Sequence, residues 1–117
     1  MTAVKPHFTT ANRAGDFIFV SGQLPFDNEM KISSGDIASQ TRIVMEHIAK
    51  ALKDVGSDLQ HVVKTMVWLT DPEDFPVFNK TYADYFPHPP PARATVASRL
   101  MVAGALIEIE AIAYYPQ

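Results

Sequence analysis

The stretch Ala105-Leu-Ile-Glu-Ile-Glu-Ala-Ile-Ala-Tyr114 (ALIEIEAIAY) decides the fold. In an extended chain successive side chains point to opposite faces. Ile107, Ile109, Ala111 and Ala113 therefore share one face, and Leu106, Glu108, Glu110 and Ile112 share the other. One row is wholly apolar, while the other carries two carboxylates. A strand so divided belongs in a sheet packed on a core through one face only.

Ala92 to Ser98 reads as the preceding strand, and the two are expected to form a hairpin around Leu100 to Gly104. Before them lies Pro87-His-Pro-Pro-Pro-Ala92, an extended, stiff connector that no helix can absorb. Upstream, Asp74 is the expected N-cap of a helix with Pro76 in its first turn and Phe78, Tyr82 and Phe86 at four-residue spacing. His61 to Thr70 is dense in β-branched and aromatic residues and reads as a strand closed by Asp71-Pro72. From Ile37 to Val55 the apolar positions Ile37, Thr41, Val44, Met45, Ile48, Ala51, Leu52 and Val55 have the spacing of an amphipathic helix, with Asp36 as N-cap and Gly56 as stop. Phe17 to Val20 is a strand opened by Ala14-Gly15-Asp16, and Met30 to Ser33 is expected to pair back on it through the turn at Phe26 to Glu29. The order strand, strand, helix, strand, helix, strand, strand predicts an α+β sheet with both helices on one face. The other face is too apolar to be left in water, so oligomerisation is expected.

The 117 residues, 47% hydrophobic and 20% charged, match a single globular domain over residues 1–117. There is no Cys, which removes disulfides, thiolate metal sites and a cysteine nucleophile, and suits a reducing cytoplasm. The net charge of -3, without a basic cluster, argues against nucleic acid as a partner. The longest apolar run, Leu100 to Ile107, is eight residues, against the roughly 20 needed to span a bilayer. The stretch Met1 to Asp16 lacks the apolar segment of a secretory signal, so no membrane association is expected. His7, His47, His61 and His88 have no metal-ligand spacing, and there is no Gly-rich phosphate loop, so neither metal nor cofactor is expected.

Four features could carry chemistry. Glu108 and Glu110 are either solvated on an exposed strand face or, for one of them, held against an interface with a raised proton affinity suited to a general base. Arg93, directly after the prolines, is either a surface cation or a fork that grips a planar carboxylate. Ser21-Gly22-Gln23 is either a bulge or a place where backbone amides meet a ligand. Asn79, inside the second helix, either makes a tertiary hydrogen bond or faces solvent.

Taken in order, FIFVSGQLP (17–25), DFPVFNKTYADYF (74–86), PARATV (91–96) and IEIEAIA (107–113) resemble the reactive-intermediate deaminase family, also called the RidA or YjgF family. The resemblance covers almost the whole chain. It implies a chorismate-mutase-like fold, a homotrimer with sites in clefts between subunits, and hydrolysis of enamines and imines such as 2-aminoacrylate and 2-iminopropionate to a 2-keto acid and ammonia, without a cofactor. By position, Arg93 matches the arginine that pairs with the substrate carboxylate and Glu108 the acid that positions the attacking water. Ser21 and Gly22 match pocket-lining residues, and Asn79 an asparagine near the site. The chain departs from the pattern at Phe8 (or His7, with one residue gapped), where many members carry Tyr, and at Thr95, where many carry Cys. The loop from Asn79 to Arg93 is also shorter and richer in Pro than in typical members. These departures bear on substrate range, and deaminases of larger ring-cleavage or pyrimidine-derived enamines are the neighbouring reading. A trimer that only binds small carboxylates is the non-catalytic alternative.

Overall fold

A computed structural model of the chain describes residues 6–87 and 89–117. Residues 1–5 of the N-terminal stretch and His88 lie outside them. Five strands and two helices follow in the order β1 (Ala11–Ala14), β2 (Phe17–Gln23), α1 (Ile37–Lys53), β3 (Val62–Leu69), α2 (Phe75–Ala83), β4 (Ala92–Ala97) and β5 (Ile107–Tyr114). The strands form one mixed sheet ordered β1-β2-β5-β3-β4.

β5 lies at the centre of this sheet, antiparallel to both β2 and β3. Its two rows divide as the alternation requires: Ile107, Ile109, Ala111 and Ala113 are buried, while Glu108 and Ile112 are half-buried and Glu110 is exposed. The apolar row meets Ile18 and Val20 of β2, Val67 and Leu69 of β3, and the buried residues of α1 and α2 in one core. Both helices therefore cover the same face, as the element order predicts.

Two strand pairings differ from the sequence expectation. β4 and β5 are not a hairpin; β4 runs parallel to β3 at the sheet edge, and β5 enters on the other side of β3. The crossover helix α2 returns the chain to the start of β3, which makes a parallel neighbour the only nearby pairing. An edge position for β5 would also have carried its apolar row away from α1. The first hairpin is likewise displaced. β2 pairs with β1, whose sequence ANRA carries no β-branched residue, through a turn in which Gly15 has φ +60°. Met30 to Ser33 contributes only the single bridge between Phe26 and Ile32. There Asp27 Oδ1 accepts from the backbone N–H groups of Glu29 and Lys31, so a side-chain-closed loop replaces the strand.

The helix ends are set locally. Asp36 accepts from the Ser39 N–H at 2.9 Å, capping α1, and the chain leaves beyond its end through Gly56 at φ +86°. Val55 lies past the helix and is exposed, outside the apolar stripe assigned to it. Asp74 makes no capping bond. Asp71 takes that role instead, accepting from the Glu73 N–H ahead of α2. Pro76 does sit in the first turn, and the rings of Phe78, Tyr82 and Phe86 stack in sequence although Phe86 lies beyond the helix.

Gln40 ties α1 to both flanking loops. It is 1% exposed, donates to the carbonyls of Ser33 and Gly104, and accepts from the Leu106 N–H. Its amide thus satisfies three backbone groups that would otherwise be buried without partners. Among the described residues no helix is long and apolar enough to cross a membrane.

Candidate active site

Arg93 lies opposite Thr65 in the parallel ladder of β4 and β3, so the two side chains share a face. Thr65 is fully buried, and its hydroxyl is 2.7 Å from that of Tyr82 on α2. Arg93 therefore projects toward α2. There its Cζ stands 4.8 Å from the ring centroid of Tyr82, 5.3 Å from Phe78 and 5.6 Å from Phe75. A guanidinium rests on aromatic rings through its flat face, whereas its N–H bonds point outward in its own plane. Its five N–H donors outnumber the acceptors beside it, which leaves donors for a ligand. Among the described residues Arg93 forms no salt bridge.

The guanidinium opens on a cleft of about 440 Å³ walled by Ala83, Phe86, Pro87, Pro90 and Pro91, with Asn79 at its side. Asn79 is exposed, lines the cleft and makes no side-chain hydrogen bond among the described residues. Thr95, two residues beyond Arg93 on the same face, lines a neighbouring hollow with Leu69, Pro72 and Phe75.

Glu108 belongs to the other face. It pairs with Trp68 across β5 and β3, and its side chain runs back over Gly22. Between Val20 and Gln23 the register of β2 shifts against β5, so Ser21-Gly22 is a bulge opposite Glu110. A methyl group on Gly22 would overlap the Glu108 carboxylate and push it aside, so the glycine leaves room for it. Burial raises the proton affinity of Glu108 above that of an ordinary glutamate, and the nearby charge of Glu110 raises it further.

Ser21 is less open than the sequence suggests. Its N–H donates to the Thr10 carbonyl, its hydroxyl to the Thr9 carbonyl, and its own carbonyl accepts from Gln23 Nε2. No amide of Ser21 is left for a ligand, and its hydroxyl offers acceptor capacity only. These bonds hold the segment carrying Phe8, which shares a cleft of about 350 Å³ with Phe19, Ser21 and Glu110.

The expected residues thus fall into two groups. Arg93, Asn79 and Thr95 are on the helix side, while Glu108, Gly22, Ser21 and Phe8 are on the open side. Within one chain the sheet separates them. The sequence reading left Thr65, Tyr82 and Phe75 out of the site. The four-residue spacing of Phe78 and Tyr82 announced a helix face but not its neighbour, because the β3–β4 register that sets Arg93 beside them is not written in either strand.

These features define a small α+β protein with, among the described residues, a cation that forms no salt bridge and a carboxylate of raised proton affinity on opposite faces of one sheet. Residues 2–115 match the model of the family described as Endoribonuclease L-PSP. The chain belongs to this family, the YjgF/RidA family. It is 44% identical over 108 residues to a RutC family protein of Pyrococcus horikoshii, covering 92% of this chain and 86% of that one. It is 40% identical over 108 residues to the 3-aminoacrylate deaminase RutC of Acinetobacter baylyi, covering 92% and 86%. Among solved structures it is similar to RidA from an Antarctic Psychrobacter, with 36% identity, a TM-score of 0.87, and coverage of 96% of this chain and 91% of that one.

Proposed function

We propose that this protein is a hydrolytic deaminase of small enamine and imine carboxylates, of the 2-aminoacrylate and 2-iminopropionate type, working as a cytoplasmic homotrimer without a cofactor. The observation that carries the reading is the Arg93 guanidinium, within 5.6 Å of three ring centroids and, among the described residues, without a salt bridge, at the mouth of a cleft. A planar carboxylate suits its open edge through two parallel hydrogen bonds. The Acinetobacter relative, a 3-aminoacrylate deaminase by name, supports an enamine carboxylate as substrate.

The reaction needs orientation, water and a proton acceptor. Protonation at carbon converts the enamine to the imine, whose C2 is electrophilic once its nitrogen is protonated. Arg93 fixes the carboxylate and so the plane of C2. Glu108 takes a proton as water adds to C2, giving a carbinolamine, and returns it to the nitrogen as the C–N bond breaks. One water is consumed, and the 2-keto acid and ammonia leave. The raised proton affinity of Glu108 suits both transfers.

Because Arg93 and Glu108 lie on opposite faces of one sheet, the cleft is completed by a second copy. The open face supports such an assembly: Phe17, Phe19, Val96 and Tyr114 are each at least 40% exposed there. Phe8 and the Pro-walled cleft direct the choice among substrates, larger enamines included. The test is a coupled assay that generates 2-aminoacrylate and larger imino acids in situ and follows keto-acid release. Acceleration by the wild type that disappears in Arg93→Ala supports the reading. Folded protein that accelerates none of them overturns it in favour of a carboxylate-binding trimer.

A further inference from the structure

We propose that Tyr82, Thr65 and Phe75 are positioning residues that hold the Arg93 fork ready for a carboxylate. The inference rests on the clamp role of Arg93 proposed above.

Thr65 and Tyr82 are buried, 0% and 3% exposed, and their hydroxyls are 2.7 Å apart. Val and Phe would fill the same space without removing two hydroxyls from water. What the pair adds is position. The bond to β3 fixes where the Tyr82 ring stands beside Arg93, and the rings of Phe78 and Phe86, with centroids 5.3 and 4.9 Å away, limit its turning. Phe78 and Phe75 continue that surface along α2, their ring centroids 6.2 Å apart. Thr65 and Arg93 are cross-strand partners, so the residue that anchors the ring is the ladder neighbour of the residue the ring holds.

A long arginine in water samples many rotamers and loses them when it grips a ligand. Here three rings stand within 5.6 Å of the guanidinium before any ligand arrives, so less freedom is lost on binding. The benefit falls equally on every state in which the carboxylate is held. It is therefore read in KM and in keto-acid affinity rather than in kcat.

The experiment measures 2-oxobutanoate affinity by calorimetry, and kcat and KM for deamination, in the assembled protein carrying Tyr82→Leu, Tyr82→Phe, Thr65→Val or Phe75→Leu. Each is made with Arg93 intact, where affinity and kinetics are both read, and in an Arg93→Ala background, where keto-acid affinity alone is read. Loss of the cation–ring contact in Tyr82→Leu is expected to weaken keto-acid binding and raise KM about tenfold, with kcat within about twofold of wild type. Tyr82→Phe, which keeps the ring, and Thr65→Val are expected to weaken binding about twofold, and Phe75→Leu about twofold to threefold. In the Arg93→Ala background all four effects vanish. Equal losses in both backgrounds would make the rings mere core filling and overturn the proposal. Should Tyr82→Leu fail to fold, Phe75→Leu decides alone, since Phe75 is 39% exposed. Arg93→Ala binding 2-oxobutanoate as tightly as wild type would instead overturn the clamp reading itself.

Discussion

Arg93 and Glu108 occupy opposite faces of one sheet, and the two faces hold them by different means. On the helix side Arg93 lies against Phe75, Phe78 and Tyr82, and the last two belong to the core itself. Its position follows from the packing that stabilises the fold. On the open side Glu108 rests over the gap left by Gly22 in a bulge, with Glu110 nearby as a like charge. Its carboxylate is kept in place against its own electrostatics. The Arg93 half is thus continuous with the core, whereas the Glu108 half holds a carboxylate whose charged form is disfavoured by burial and by Glu110.

Replacing the carboxylate should separate the halves most sharply. Glu108→Gln is expected to lower kcat by about 10²- to 10⁴-fold, the usual worth of a general base, while leaving keto-acid affinity near wild type. The same change should raise the melting temperature at neutral pH. The folded-state pKa of Glu108 lies above its unfolded value, so its favourable contribution is complete below the unfolded pKa and is lost as pH rises through the folded one. A Gln at this position escapes that loss. A fall in melting temperature at neutral pH would show that the carboxylate is not held at a disadvantage.

Mixing tests whether the two faces meet across copies. Arg93→Ala and Glu108→Gln protein, each expected to have little activity alone, are unfolded together and refolded at equal amounts. If every cleft takes its arginine and its glutamate from different protomers of a trimer, random assembly returns about a quarter of wild-type activity. Persistent inactivity of a properly assembled mixture would assign both residues to the same protomer's cleft.

A smaller effect is expected from filling the gap under the carboxylate. Gly22→Ala moves only the end of the Glu108 side chain, so the fold should survive while kcat falls about tenfold through misplacement of the acceptor. Unchanged kcat would mean that Glu108 tolerates displacement. The least effect belongs to Glu110→Gln. Removing that charge lowers the Glu108 pKa toward the ordinary range, so the acid limb of the kcat/KM profile should move to lower pH, with the plateau little changed. An unmoved limb would assign the titration to another group.

Much of this arrangement can be read from the chain. The alternation in IEIEAIA puts Glu108 and Glu110 on the face away from the core, and the three-and-four spacing of α1 marks its buried stripe. Asp36 and Gly56 fix the exits of that helix through local backbone chemistry. The resemblance of four segments to a known family marked Arg93 and Glu108 as the pair to examine. Gln40 escaped notice because a polar residue on an apolar stripe signals nothing until the carbonyls of Ser33 and Gly104 are beside it. The β1 strand escaped because ANRA has no intrinsic preference to be extended and takes its conformation from β2.

What the sequence determined by itself is periodic or local: which residues are buried together, where helices begin and stop, and which side chains share a strand face. These depend on neighbours within a few positions. Tertiary structure alone decided that β5 lies between β2 and β3, that β4 runs parallel at the edge, and hence that Arg93 stands beside Thr65 and Tyr82 rather than Glu108. Strand order and register are chosen by contacts between distant segments, here the crossover through α2 and the burial of the β5 apolar row under α1. No local pattern in either partner encodes that choice.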